Sequence, residues 1–467
     1  MRNLLLFLFF IINLELQAQQ KYATQQKPNI IVILSDDAGY ADFGCYGGKE
    51  IPTPNIDAIA KNGTQFTDAY VTASVCAPSR AGLLTGMYQQ RFGFEHNTSK
   101  KPAKDYTLND IGMDPKVKTI GDQLKANGYH TIAIGKWHQG DLDQYFPLKR
   151  GFDEFYGFIG GHRNFFAYTK ERPREAALFD NNNIVPESKI TYLTDMFTDK
   201  ATSFVAENKS RPFFMYLAYN AVHVPLNAKK ELMEKYAYIP DKGRRAYAAM
   251  MNSLDDGIGE LIQSLKDNGV YENTIVFFVN DNGAATGNNA DNGILRGLKG
   301  SEWEGGNRIA YLLQWPGKVP AGLRYPEMVS TLDILPTSVS AAKGSLISGT
   351  QTDGKNLLPY INNETKGKPH EYLFWRRGIA AAIRYDKWKL IRAGNNPILL
   401  FNLNKDISET TNLATKKPAR TKKLLKKLAE WETHMDQPHW TSDYGDYNQI
   451  MKHRMDVIGR EMELKYP

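Results

Sequence analysis

Cysteine is scarce in this sequence, which has only Cys45 and Cys76 among its 467 residues. At most one disulfide can therefore form, and a scaffold held together by several disulfides is excluded. Internal repeats and low-complexity segments are missing from the sequence as well. A composition with 42% hydrophobic and 12% aromatic residues excludes a fibrous or disordered chain. What remains is a globular protein, long enough for one large domain and a smaller one.

Long apolar runs are also missing, except at the N-terminus. No segment after residue 18 has the roughly 20 apolar residues of a membrane helix, so no membrane span is predicted. Arg2 precedes an apolar run over 4–14, and Ala18 closes a small-residue cleavage site. This pattern predicts a signal peptide over 1–18 and a periplasmic or secreted protein, cut after Ala18. A buried N-terminal helix is the alternative. A lipid anchor is not indicated, because there is no cysteine at the cleavage site.

Neither sign of charge is in large excess. The sequence has 58 Lys and Arg residues and 51 Asp and Glu residues, which give a net charge of +7. This balance fits a mildly basic surface as well as it fits attraction of a polyanion, and no nucleic-acid partner is expected. The basic segment 416–427 also carries apolar residues at helical spacing. We therefore expect its lysines to form the solvated face of a helix.

Strand-like and helix-like segments alternate through the first three-quarters of the chain. The strand candidates are short runs rich in Ile, Val, Phe and Tyr, without the polar alternation of half-exposed strands. They favour central strands of a parallel sheet that is covered on both faces. We predict strands at 29–34, 130–134, 212–218 and 274–279, and helices at 54–62, 117–127, 195–208 and 244–268.

After about residue 340 the pattern changes to short runs typical of an antiparallel sheet, followed by a helix. The sequence thus predicts an α/β fold with a large, mainly parallel sheet and helices on both faces, plus a smaller C-terminal α+β subdomain with an antiparallel sheet. We place the large domain at 27–343 and the subdomain at 355–467. The segments of the subdomain are 372–375, 379–384, 388–392, 398–402 and the helix 418–434.

Polar residues follow each of the four predicted strands. Ligands bind at the carboxyl ends of the strands in open α/β sheets, so these residues are expected to share one site. Asp36 and Asp37 follow the first strand, and Asp281 and Asn282 follow the last. Each of them could be a turn or cap residue, but two such pairs at strand ends favour a hard divalent cation, Ca²⁺ or Mg²⁺.

Basic residues follow the other two strands. Lys136 and His138 come after the second strand, where an extended segment would place both on one side, and His223 comes after the third. Lys299 lies between glycines that permit close approach of the backbone. A lone histidine is more often a structural hydrogen-bonding residue than a catalyst, and Lys299 by itself could be a surface lysine.

The segment 76–86, Cys-Ala-Pro-Ser-Arg-Ala-Gly-Leu-Leu-Thr-Gly, resembles the signature of the type I, formylglycine-dependent sulfatases. A chance match to Cys-x-Pro-Ser-Arg in such a chain has odds on the order of one in a thousand. The resemblance points to the exported carbohydrate sulfatases, implies an alkaline-phosphatase-like fold, and argues against a disulfide between Cys45 and Cys76. It extends to the segments 36–40, 135–138, 281–283, 304–306 and 400–403.

In that family, a separate maturation enzyme oxidises the cysteine that Cys76 matches to Cα-formylglycine. The family's usual ion is Ca²⁺, with Mg²⁺ the less favoured choice. Two positions depart from the family pattern without removing a reactive group: Val222 stands where proline is common, and Gln139 where leucine is usual. The resemblance implies metal ligands at Asp36, Asp37, Cys76, Asp281 and Asn282, and catalytic residues at Cys76, Arg80, Lys136, His138, His223 and Lys299.

A sulfate monoester needs a nucleophile at sulfur and a neutralised leaving oxygen. One hydroxyl of the hydrated aldehyde would attack sulfur, and deprotonation of the other would expel sulfate by C–O cleavage and restore the aldehyde. Pro78 suits the first turn of a helix, which would put Cys76 near a helix N-terminus that favours anionic oxygen. We assign His223 as general acid and His138 as general base, two roles that could be exchanged.

The expected substrate is a sulfated carbohydrate, of galactose type by family likeness, and not a small aryl sulfate. Substrate-binding candidates are His162 and Arg163, in a segment that mixes hydrogen-bonding groups with aromatics, and Arg376 and Arg377. The alternative is that the first two are ordinary loop residues and that the two C-terminal arginines pair with acidic neighbours. Rival functions are a formylglycine-dependent phosphodiester or phosphonate monoester hydrolase and an inactive protein that binds sulfated glycans.

Overall fold

The computed structural model describes residues 27–394 and 396–441, so the predicted signal peptide lies outside the described residues. The strands are β1 (Asn29–Ser35), β2 (Thr64–Phe66), β3 (Ala69–Tyr70), β4 (His130–Lys136), β5 (Glu154–Phe158), β6 (Phe179–Asp180), β7 (Asn183–Ile184), β8 (Phe213–Ala218), β9 (Thr274–Asn280), β10 (Tyr311–Gln314), β11 (Leu323–Tyr325), β12 (Val329–Ser330), β13 (Tyr372–Arg377), β14 (Ala380–Tyr385), β15 (Trp388–Ala393) and β16 (Leu399–Asn402). The α-helices are α1 (Pro54–Lys61), α2 (Cys76–Thr85), α3 (Ile120–Ala126), α4 (Leu193–Asn208), α5 (Lys230–Lys235), α6 (Lys242–Asp267), α7 (Glu304–Asn307), α8 (Ile334–Ala341), α9 (Leu358–Ile361) and α10 (Pro418–Glu432).

A ten-stranded sheet forms the centre of the molecule, in the order β11-β2-β10-β9-β1-β8-β4-β5-β6-β7. The four strands predicted from the sequence, β9, β1, β8 and β4, are neighbours within it and run parallel to one another. Among the described strands of this sheet, the antiparallel pairs are those of β10 with β9 and β2 and those of β6 with β5 and β7. The predicted large, mainly parallel sheet is therefore confirmed.

Both faces of this sheet are covered, as the apolar strand sequences predict. Ile30 and Val32 of β1 face one core, with α2, α3 and α8, and Ile31 and Ile33 face the other, with α1, α4 and α6. The capping residues set the helix starts. α3 begins three residues later than predicted, because the side chain of Thr119 accepts a hydrogen bond from the backbone N–H of Asp122.

The C-terminal sheet consists of β13 to β16 in sequence order, and all its pairings are antiparallel. One face, with Ile383 and Leu390, packs against Leu424 and Leu428 of α10. The other face packs against the large domain, where Trp375 and Phe401 contact Tyr70 and Trp303. The predicted antiparallel sheet and helix are both present, while the domain boundaries 27–343 and 355–467 stay predictions. Among the described residues, no helix combines the length and the apolarity needed to cross a membrane.

Candidate active site

The four central strands bring the predicted polar residues to one edge of the sheet. Asp36 follows β1 directly, and Asp281 follows β9 directly. Backbone hydrogen bonds hold these strand ends together, from the N–H of Asp36 to the carbonyl of Ala221 at 2.9 Å and from the N–H of Asp281 to the carbonyl of Ser35 at 3.1 Å. The convergence follows from the parallel order of the strands, whose carboxyl ends share one edge.

Cys76 is the first residue of α2, a helix in which every residue is buried. Its Sγ lies 3.5 Å from Oδ1 of Asp36 and 3.7 Å from Oδ1 of Asp37. The N-terminus of the helix therefore points at the strand ends, where its free N–H groups favour negative charge. Cys45 and Cys76 are both free thiols, so the disulfide alternative is wrong.

Three cations surround the carboxylates, of which Arg80 and Lys136 are fully buried and Lys299 is partly exposed. Arg80, one helical turn after Cys76, donates from Nε and Nη2 to Oδ2 of Asp281 at 3.0 and 2.9 Å. Lys136 donates from Nζ to Oδ2 of Asp36 at 2.6 Å. The Nζ of Lys299 is 2.6 Å from Oδ1 of Asp37. Each carboxylate thus has its own cationic partner, which compensates for its removal from water.

The carboxylates nevertheless crowd one another. Burial tends to raise the pKa of Asp36, but Lys136, His223 and Arg80 outweigh it and hold that pKa well below the usual value. For Asp281 the balance is reversed, since burial and the neighbouring Asp36 carboxylate raise its pKa to about 7. A site with this imbalance favours one more positive charge.

A divalent cation fits the residues of this edge. Possible ligand atoms of Asp36, Asp37, Cys76 and His223 lie within 4.8 Å of one another. The Nδ2 of Asn282 donates to Oδ1 of Asp37 at 2.8 Å, whereas its Oδ1 is buried without a hydrogen-bond partner. A buried amide oxygen beside carboxylates is a ligand that hard cations prefer. Of the predicted metal ligands, Asp36, Asp37 and Cys76 thus lie together with His223 beside them, and Asn282 is hydrogen-bonded to Asp37.

His138 is buried in a backbone conformation that the sequence analysis did not predict. β4 ends at Lys136, and His138 has a φ of 59°, so the expectation of an extended segment through His138 is wrong. Its ring packs against Gly161, where a Cβ would lie 2.7 Å from the ring Nε2. Burial, reinforced by the charge of Lys136, lowers the pKa of His138 well below the usual value, which favours the neutral imidazole.

His223 and Lys299 lie at the open side of the site. Their side chains are 15% and 16% exposed, whereas those of Arg80 and Lys136 are fully buried. The Nδ1 of His223 is 2.6 Å from the carbonyl of Val224, and its Nε2 is 3.5 Å from Oδ2 of Asp37. His223 and Lys299 therefore reach solvent, with the fully buried Arg80 and Lys136 behind them.

The two departures from the family pattern have structural roles. The N–H of Val222 donates to the carbonyl of Asp36 at 2.9 Å, a bond that a proline could not make. The side-chain amide of Gln139 donates to the carbonyl of Ala77 at 3.0 Å and thereby ties the end of β4 to the start of α2. Both residues hold the backbone next to a predicted site residue.

The substrate-binding candidates are not gathered at the opening. His162 is exposed. Arg163 is buried and makes an ion pair from Nη2 to Oε2 of Glu187 at 3.3 Å. Arg376 donates from Nε to Oε1 of Glu95 at 2.7 Å, so the alternative of an acidic partner describes this arginine. Arg377 is buried, with its Nη1 3.4 Å from the carbonyl of Gly300.

Some residues of the site carried no signal in the sequence. Asn97 accepts a hydrogen bond from the N–H of Ala77 at 3.1 Å, next to Cys76. Asn288 donates from Nδ2 to the carbonyl of Asp37 at 2.8 Å. Both asparagines bind backbone atoms of segments distant in sequence, which neither spacing nor periodicity reveals.

Comparison with known proteins agrees with this geometry. The family model described as Sulfatase matches residues 28–345. The chain belongs to the sulfatase family. This sulfatase is 32% identical over 465 residues to Arylsulfatase J of Mus musculus, covering 88% of this chain and 76% of that protein. It is 32% identical over 372 residues to the N-acetylgalactosamine-6-sulfatase of Canis lupus familiaris, covering 76% of this chain and 69% of that protein.

The sulfatase also resembles solved structures over nearly its whole length. Ps i-CgsB is 37% identical, with a TM-score of 0.83 over 95% of this chain and 100% of that chain, and a second structure of it is a complex with k-i-k-neocarrahexaose. These relatives confirm the alkaline-phosphatase-like fold. They also indicate that the sulfatase is a sulfuric ester hydrolase.

Proposed function

We propose that this sulfatase hydrolyses sulfate monoesters of a sulfated carbohydrate, with Cys76 oxidised to Cα-formylglycine by a separate maturation enzyme and with Ca²⁺ bound. The observation that carries the proposal is the position of Cys76, whose Sγ lies 3.5 and 3.7 Å from two carboxylates at the start of a buried helix. The hydrated formylglycine supplies one hydroxyl that attacks sulfur and a second whose deprotonation releases sulfate and restores the aldehyde.

The metal would be held by oxygen atoms of the strand ends and would withdraw charge from the sulfate oxygens. Its ligands are Asp36, Asp37, Asp281 and Asn282, together with the oxidised side chain at position 76. Ca²⁺ is favoured over Mg²⁺, because a set of buried carboxylates and an amide oxygen suits its larger coordination shell.

Three cations of the chain would offset the charge that develops on the sulfate. Arg80 and Lys136 are fully buried beside the metal-binding carboxylates, and Lys299 reaches the same place from the open side. Preorganised donors of this kind typically contribute about 10²-fold to 10³-fold each to the rate.

The two histidines have surroundings that support different roles. His138 is buried among cations, which favours its neutral form and suits a base toward the second hydroxyl. Burial lowers the pKa of His223 to about 4, while the nearby Asp36 and Asp37 carboxylates oppose this shift and favour its protonated form. His223 also reaches the solvent-facing side of the site, where the leaving sugar oxygen would lie. We therefore assign His223 as the general acid and His138 as the general base.

A galactose-type sulfated saccharide is the proposed substrate. One relative is named for N-acetylgalactosamine 6-sulfate hydrolysis, and another has been crystallised with k-i-k-neocarrahexaose. The N-terminal pattern of Arg2, the apolar run 4–14 and Ala18 supports export to the periplasm or beyond, where such saccharides are met.

The test compares protein produced with and without a formylglycine-generating enzyme. Inorganic sulfate release is measured on sulfated galactose oligosaccharides and an aryl sulfate, and phosphonate release on a phosphonate monoester. We expect sulfate release from a saccharide only by the modified protein, and Cys45→Ser, which removes the other thiol, should keep full activity. Turnover by protein carrying only unmodified Cys76, or preference for the phosphonate, would contradict the proposal.

A further inference from the structure

The loop that carries Lys299, here called the Lys299 loop (residues 295–303), is held between the large domain and the C-terminal subdomain. The N–H of Lys299 donates to the carbonyl of Ala284 at 2.8 Å, and that of Gly300 to the carbonyl of Ser74 at 2.6 Å. On the other side, Nη1 of Arg296 donates to the carbonyl of Glu409 at 2.7 Å. The position of Lys299 therefore depends on groups from both parts of the protein.

A buried charge cluster closes this loop. Lys389 of β15 places its Nζ 2.9 Å from Oε1 of Glu304 and 3.0 Å from Oε1 of Glu409, and all three side chains are fully buried. The Oε2 of Glu409 accepts a hydrogen bond from the N–H of Glu304 at 2.7 Å. Glu304 directly follows the Lys299 loop, whereas Lys389 and Glu409 belong to the C-terminal subdomain. We call the three residues the interdomain triad.

The triad is an inefficient way to gain stability. Removing these groups from water is costly, since burial raises the pKa of Glu409 to about 7 even beside Lys389. Well-packed apolar residues often stabilise a protein as much or more. Buried ionic groups do, however, define a geometry closely, because only a narrow range of positions satisfies them. A role in placing the attached backbone accounts for the triad better than a role in stability.

The attached backbone leads directly to Lys299. Gly305, which follows Glu304, donates its N–H to the carbonyl of Arg296 at 2.7 Å. A Cβ on Gly305 would lie 2.2 Å from the carbonyl oxygen of Gly297, so the two ends of the loop are in direct backbone contact. A shift of Glu304 therefore moves residues 296 and 297, and with them the start of the segment that presents Lys299.

We propose that Lys389 is a positioning residue for Lys299. Through Glu304 and Glu409 it fixes the Lys299 loop, so that the Nζ of Lys299 stays at Asp37 and faces the sulfate. The inference rests on the proposed function, in which Lys299 contacts the sulfate group. It gives the C-terminal subdomain a part in catalysis that needs no contact between the triad and the substrate.

A double-mutant cycle tests this route. Lys389→Met is made in the wild type and in Lys299→Ala, and kcat and KM are measured for a sulfated oligosaccharide. Lys389→Met alone should lower kcat/KM by roughly 10-fold to 100-fold. In the Lys299→Ala background it should have no further effect beyond about twofold. An equal loss in both backgrounds would mean that Lys389 does not act through Lys299 and would overturn the inference.

Arg392→Met is the matched control, since Arg392 lies on the same strand and also loses an ion pair. Its Nη1 and Nη2 bind Glu432 at 2.9 and 2.7 Å, within the C-terminal subdomain. We expect kcat/KM of this variant to stay within about twofold of the wild type. A loss as large as that of Lys389→Met would show that any weakened ion pair of β15 lowers activity, and the inference would fail.

Hydrogen exchange separates this inference from the proposed function. In Lys389→Met, peptides covering 295–306 should exchange faster than in the wild type, and in Arg392→Met they should not. Unchanged exchange in Lys389→Met would overturn the inference whatever the substrate, while a wild type that releases no sulfate would overturn the proposed function. Should Lys389→Met fail to fold, Glu409→Gln, which keeps the side-chain volume, takes its place in the same measurements.

Discussion

Lys136 at the end of β4 reaches past the end of β8 to Asp36 at the end of β1. The distance from Nζ to Oδ2 is 2.6 Å, and both side chains are fully buried. The pair joins two strands that are not neighbours in the sheet. Its charges are already in place before a substrate arrives, so little reorganisation is needed when negative charge develops nearby.

Lys136→Met is expected to lower kcat/KM by about 10²-fold to 10³-fold. It should also lower the free energy of unfolding by roughly 3–5 kcal/mol, because Asp36 would remain buried without its closest partner. Steady-state kinetics and chemical denaturation measure the two effects. Lys229→Met is the control, since its partner Asp195 is 44% exposed and such pairs contribute about 0–1 kcal/mol. Full activity of Lys136→Met would show that Lys136 has no part in the reaction.

Cys76 is expected to carry the modification in active protein. Mass spectrometry of the tryptic peptide that contains Cys76 should find the aldehyde or its hydrate, and the modified fraction should rise in proportion to activity. Cys76→Ala should release no sulfate, yet unfold at a temperature close to that of the wild type, because the thiol makes only long, weak hydrogen bonds to Asp36 and Asp37. An active Cys76→Ala variant would rule out the proposed nucleophile.

Removal of divalent cations should abolish turnover, and Ca²⁺ should restore it. Ca²⁺ at 100 times its Kd should raise the free energy of unfolding by about 2.7 kcal/mol. Asn282→Leu removes the buried amide oxygen without changing the charge, so it should weaken Ca²⁺ binding in a calorimetric titration. Unchanged Ca²⁺ affinity in this variant would exclude Asn282 as a ligand, and full activity after exhaustive chelation would exclude the metal.

The central strands and the cluster of polar residues at their ends could be predicted from the sequence because both depend on local patterns. An apolar run without alternation predicts a strand buried on both faces, and the residue after it then lies at the ligand-binding edge. Asp36 and Asp281 satisfy this rule, although they are 245 residues apart in the chain. The left-handed backbone of His138 has no such local pattern, since it depends on the close packing of its ring against Gly161.

The substrate-binding candidates were harder to predict because their environment depends on distant partners. The residues around Arg163 have the composition of a sugar-binding segment, but its guanidinium forms an ion pair with Glu187. Arg376 likewise meets Glu95, which is 281 residues away in the sequence. The sequence around an arginine does not show whether its guanidinium forms an ion pair with a carboxylate from a distant part of the chain.

Arg163→Ala should therefore lower stability more than it changes substrate choice. The free energy of unfolding should fall by about 1–3 kcal/mol, because a buried guanidinium loses its ion pair with Glu187. Its kcat/KM should change equally on a sulfated oligosaccharide and on an aryl sulfate. His162→Ala is the neighbouring control, since its exposed side chain should alter stability by less than about 0.5 kcal/mol. A loss confined to the oligosaccharide in Arg163→Ala would restore it as a substrate-binding residue.

Acid should destabilise the protein in part through His96. Burial, together with the nearby Arg377, lowers the pKa of His96 to about 3, below the value of 6.5 for an unperturbed histidine. As the pH falls below 6.5, His96 binds a proton in the unfolded chain but stays neutral in the folded protein. The free energy of unfolding is therefore unaffected by His96 above pH 6.5 and decreases on acidification below it. The loss approaches about 1.4 kcal/mol per pH unit.

His96→Gln, which cannot take up this proton, should show a smaller fall in unfolding free energy between pH 6.5 and about pH 5. Urea denaturation at several pH values measures the slope. The same slope in His96→Gln and wild type would show that His96 does not titrate in this range.

The complete burial of α2 has a consequence for the order of events in biosynthesis. Cys76 is 1% exposed, and its neighbours in the helix are packed against the sheet and against α8. An enzyme of ordinary size cannot bring its own catalytic groups to that sulfur once the chain has closed around it. If Cys76 is oxidised as proposed, we therefore expect the oxidation to take place before or during folding, while the segment is still extended. A molecule that folds before its Cys76 is oxidised should stay inactive. Adding the maturation enzyme to folded, unmodified protein should produce no activity until the protein has been unfolded.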